Sequence, residues 1–153
     1  MMNRLLNMVR DERGNSVVEM GFVLPVFFTL VAGAVDVSRA YSAKLNLEQA
    51  AQRSVEWVQV RDFKTSDVDT VKTNAASGAG VSTSNVTVNY WLECNAVKTS
   101  WDSACAENQT LARYLSVEVT KDFTPLFASP KFFSKLGSGS SIPLKAKAGI
   151  RIQ

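Results

Sequence analysis

The chain has 153 residues, 17 Lys plus Arg against 14 Asp plus Glu, no histidine, two cysteines and 46% hydrophobic residues. That length fits one domain, and a formal charge of +3 is too small to argue for a nucleic-acid partner. Without histidine, Ser-His-Asp and Cys-His mechanisms and His-ligated zinc are excluded, and two cysteines alone cannot build a four-ligand zinc site. No metal or cofactor is expected.

Residues 1–14 (MMNRLLNMVRDERG) are short and basic, with Arg4, Arg10 and Arg13 against Asp11 and Glu12. The next 21 residues, 15–35, carry one charge, Glu19, and the 16 from 20 to 35 carry none. A helix rises about 1.5 Å per residue, so ~20 residues cross a ~30 Å hydrocarbon layer. The preceding arginines keep the N-terminus on the cytoplasmic side. Three readings are open: a secretory signal cut at Ala32-Gly33-Ala34, a signal anchor that stays in the membrane, or cleavage after Gly14. A bare anchor leaves Glu19 unexplained, because a carboxylate inside a membrane helix costs at least about 2.5 kcal/mol without a partner. Cleavage after Gly14 creates an α-ammonium on Asn15, and such a group on one subunit can pair with Glu19 of its neighbour.

Gly14 followed by Asn15-Ser16-Val17-Val18-Glu19 resembles the processing site of type IV prepilins, in which a glycine stands five residues before a glutamate. The run from Val18 through Pro25, then Asp36-Val37-Ser38-Arg39-Ala40-Tyr41 and Gln49-Ala50-Ala51, is similar to the start of TadE-like pseudopilins of tight-adherence (Tad) pili. The resemblance covers roughly residues 10–58. It implies that residues 1–14 are a cytoplasmic leader removed by a prepilin peptidase, with Gly14 and Asn15 flanking the cut. It further implies assembly through Glu19 and a place in the bacterial inner membrane, head domain outside. The implied partners are TadF-like pseudopilins, a Flp-type pilin, the inner-membrane platform and its secretion ATPase. Met20 departs from the tyrosine usual after the glutamate in major Flp pilins, which favours a minor pseudopilin.

Beyond residue 35 the helical period continues. Ala40, Ala43, Leu47, Ala50, Ala51, Ser54, Trp57 and Val58 recur at three- and four-residue steps. One helix over residues 15–61 is predicted: 15–35 as the membrane and assembly segment, 36–63 as its continuation and exit. The small-residue stripe is expected to pack on the protein's own C-terminal part, with packing on other subunits as the alternative. Pro25 removes one helical hydrogen bond. It reads either as a kink with a role in assembly or as a tolerated membrane proline.

Residues 64–153 form the remaining unit. Ser66 is expected to cap a short helix bearing Val68, Val71 and Ala75, ended by Ser77-Gly78-Ala79-Gly80. Alternation then marks three strands, at residues 86–93, 115–120 and 142–153. Three strands with one apolar face need a cover, and the projecting half of the long helix is available. The fold class is therefore α+β, a long helix packed on a small antiparallel sheet, which is also the usual pilin-like architecture. Cys94 and Cys105 flank a polar loop and are expected to pair outside the cytoplasm, stabilising by roughly 3 kcal/mol. Trp101 within that loop reads as an exposed recognition residue or as folded back on the disulfide. Pro125-Leu126-Phe127 resembles the corresponding TadE connection. The aromatic segment 123–136 is expected to fold as a lid over the core; the alternative is an interface to another pilus component, with Phe127, Phe132 and Phe133 as its anchors.

The sequence thus points to a structural role in pilus assembly, and through it in adhesion and biofilm formation. The alternative is a membrane-anchored or secreted periplasmic binding domain. An enzyme is the weakest reading, since spacing brings no two of Glu93, Asp102, Glu107 and Glu118 together.

Overall fold

A computed structural model describes residues 15–127 and 141–152, with side chains described from residue 17 onward. Helix α1, Asn15–Gln59, runs 45 residues without interruption, about 67 Å at the usual rise. Its two halves differ in surroundings. From Val17 to Val35 every residue is exposed except half-buried Ala32, and the apolar side chains point all round the axis. From Asp36 onward one stripe is buried, and Leu47, Ala50, Ala51, Ser54, Val55 and Val58 form its centre. The hydroxyl of buried Ser54 donates to the Ala50 carbonyl at 2.8 Å, so its polarity is met within the helix.

A 3-10 turn at Thr65–Asp67 leads into α2, Val68–Ala79. Asp67, not the expected Ser66, occupies the cap position of α2 and makes no side-chain cap bond there; its carboxylate accepts the Lys64 N–H at 3.0 Å, closing the 3-10 turn. Gly80 ends α2 at φ +63, its N–H bonded to Ala76 and Ser77 carbonyls, with Val81 also reaching Ala76. Gly78 serves packing: a Cβ there would stand 3.3 Å from that of Ala50, so the glycine lets α1 and α2 close together.

The sheet has four antiparallel strands rather than three. They are β1 (Val86–Cys94), β2 (Val97–Thr99), β3 (Leu111–Phe123) and β4 (Ile142–Arg151), in the order β2-β1-β3-β4. The added strand, β2, returns from β1 through Asn95 and Ala96, both in left-handed conformation at φ 50 and 64. Two positive φ values suit the tight turn that matches strand twist. An alanine in the second position hides the usual Asn-Gly signal.

The predicted alternation holds. Val86, Leu115, Val117, Val119 and Ala146 point into one core with Val71, Ala75, Ala76 and Ala79 of α2 and the α1 stripe. Both helices cover the same sheet face, so α2 shares with α1 the cover expected of α1 alone. The disulfide Cys94–Cys105, with Cα atoms 5.5 Å apart, ties the end of β1 to the segment that follows β2. Asn95 reinforces this end: its N–H donates to Thr110, and its side-chain oxygen accepts the Thr110 N–H at 2.9 Å.

Candidate functional site

The chemistry-bearing residues of the chain gather along α1. Its first half is long and apolar enough to cross a membrane, and no part of that stretch is buried in the protein. A helix apolar on all sides, with nothing covering it among the described residues, is compatible with a membrane anchor. Glu19 stands exposed within it, with no hydrogen bond or ion pair among the described residues. Helix α1 passes through Pro25 without a break, and the Thr29 hydroxyl donates to the Pro25 carbonyl at 2.7 Å. Asn15 begins the helix. Gly14, Phe132 and Phe133 lie outside the described residues.

The end of the apolar run is marked by a contact that sequence reasoning missed. Asp36, the first charged residue after Glu19, is 7% exposed. One carboxylate oxygen accepts the N–H of Leu126 and the other the N–H of Phe127, each at 2.9 Å. Arg39, one turn further, has its guanidinium 3.7 Å from the same carboxylate and 5.7 Å from the centre of the Phe123 ring. A lone carboxylate at the close of an apolar stretch was the available signal; its acceptors' partners, 90 and 91 residues away, left no pattern to read. The turn after β3 is therefore held against α1. Phe127 is not a lid over the core, since its side chain is 61% exposed and that of Leu126 65%, whereas Phe123 is buried.

At the other end of the head, Trp101 folds back onto Phe63 and Tyr90 with ring centres 5.3 and 5.6 Å away, and Arg113 lies over it at 5.1 Å. It is half-buried there, packed on these rings rather than on the disulfide. The outward sheet face carries a stacked pair, Trp91 and Tyr114, with the Lys98 ammonium 4.5 Å from the Trp91 ring. Glu93 accepts the Trp91 indole N–H at 2.8 Å, and Glu118 stands opposite Thr87 and Lys147 in the register. Among the described residues no group of His, Cys, Asp and Glu could hold a metal ion.

These features define a class: proteins in which one long helix is an apolar stem at its start and the cover of a small antiparallel sheet at its end. Within that class, residues 14–55 match the family described as TadE-like protein. The match takes in Gly14, Glu19, Pro25, Asp36 and the buried stripe as far as Val55, and it stops before the sheet. It bears out the resemblance read from the sequence over those residues, while the Pro125-Leu126-Phe127 connection lies outside it. No curated protein and no solved structure matches the chain.

Proposed function

We propose that the chain is a minor pseudopilin that primes or joins assembly of a Tad pilus and so supports adhesion and biofilm formation. The observation that carries this reading is a single carboxylate, Glu19, on an uncovered apolar helix inside the TadE-like match. In this reading the chain enters the inner membrane with residues 1–14 on the cytoplasmic side and the head outside. A prepilin peptidase cuts between Gly14 and Asn15. The new ammonium of one subunit then meets Glu19 of another, which removes the penalty of an unpaired charge in lipid. Pro25, which deprives the Gly21 carbonyl of its helical donor, gives the stem a point of bending as it passes from bilayer to assembly. Its partners are TadF-like pseudopilins, the Flp-type pilin, the inner-membrane platform and the secretion ATPase.

Two substitutions test this. Gly14→Ala is expected to leave the protein at its full gel mobility and to abolish pili. Glu19→Ala is expected to permit cleavage while lowering pilus yield at least tenfold. Normal piliation in both strains would refute the proposal.

A further inference from the structure

Three observations converge where α1 leaves its apolar run. Uncharged residues end at Val35 and Asp36 follows, so on the reading of α1 as a membrane span Asp36 marks the hydrocarbon boundary. Asp36 is buried, and both its carboxylate oxygens are occupied by main-chain N–H groups of Leu126 and Phe127. Those two residues are nevertheless more than half exposed, whereas among the described residues the other large apolar side chains beyond β1 are mostly packed.

We propose that the turn at residues 124–127 is a second membrane contact: Asp36 fixes it at the depth where α1 emerges, and Leu126 and Phe127 enter the interfacial layer of that leaflet. The inference rests on α1 spanning the bilayer. Given that, the occupant follows from position. The clamp puts Leu126 and Phe127 beside the last turn of an apolar surface, so lipid that surrounds residues 17–35 continues onto the turn. Aromatic and aliphatic side chains at this level gain by leaving water while main-chain polar groups stay satisfied, and the Asp36 carboxylate satisfies two of them. The flanking charge fits as well. Arg39 and Lys121, with Asp122 beside them, line a groove of about 450 Å³ next to the turn. Two cations thus stand against one carboxylate where α1 leaves its apolar run, and on the membrane reading they face the headgroup layer. A helix alone leaves the head free to rotate and tilt, whereas a helix and a turn at one depth fix its orientation. The head is then presented to neighbouring subunits in one pose.

The test uses the full chain in phosphatidylethanolamine–phosphatidylglycerol vesicles, with its two native cysteines paired. A single cysteine introduced by Phe127→Cys carries an environment-sensitive fluorophore. Leu24→Cys marks the stem, and Val97→Cys marks the exposed far end of the sheet. Spin-labelled lipid is expected to quench the probes at positions 24 and 127, and aqueous iodide the probe at 97. Iodide quenching at position 127 equal to that at 97, with position 24 still lipid-quenched, overturns the inference and leaves the membrane reading intact. Iodide quenching at position 24 overturns both. Adding Asp36→Ala is expected to at least halve lipid quenching at 127 while position 97 is unaffected. Asp36→Asn, which keeps one acceptor oxygen, is expected to fall between. Unchanged quenching at 127 in both variants would show that the carboxylate does not set the depth.

Discussion

A carboxylate taken out of water needs donors, and Asp36 finds them in the main chain of a segment 90 residues away. Hydrogen bonds to a charged acceptor are stronger than neutral ones, and removing the acceptor leaves both N–H groups short of a partner. Asp36→Ala is therefore expected to lower the stability of the head by about 3 kcal/mol, measured as a shift in urea midpoint for the full chain in detergent. Ala96 is the opposite case. It holds φ 64 without being glycine, so Ala96→Gly is expected to raise stability by about 1 kcal/mol in the same measurement. Neither residue was legible in the sequence as what it is. Asp36 stands out in the sequence only as the start of the run to Tyr41 that resembles TadE-like proteins, with nothing to show its partner, and Ala96 lies in a segment that reads as a polar loop. Glu19 was legible because a charge inside an apolar run has no bland explanation.

Among elements, α1 was almost fully readable, since the stem is a membrane-length apolar run, the three- and four-residue period follows beyond it, and no Gly or Pro interrupts residues 34–64. The three longer strands announced themselves by alternation. The short one, β2, did not, because three residues carry no period and its turn lacks a glycine. The closeness of α1 and α2 was also hidden, since it depends on Gly78 meeting Ala50 and only the folded pair reveals it. Gly78→Leu is expected to force the helices apart at a loss of about 1–3 kcal/mol. Hydrogen exchange would localise the damage to α2 and the facing stripe and leave residues 17–35 unchanged. Reducing Cys94–Cys105 is expected to lower head stability by roughly 3 kcal/mol, since the bond closes an 11-residue separation. Its release should loosen β2 before β3 and β4.

At the scale of the whole molecule, one helix does two kinds of work. Its far half is the hydrophobic cover of a small sheet and is complete within the chain. Its near half is apolar all round, and among the described residues nothing covers it. The absence of histidine and the mixed surface charges of the sheet sit easily with that division. The prepilin-like account adds that the near half becomes competent for assembly after the chain is cut ahead of it. The most direct measurement is the N-terminal sequence of the protein recovered from membranes of cells that express the full chain. The account predicts a chain beginning at Asn15; a chain beginning at Val35, or one still carrying residues 1–14, would contradict it.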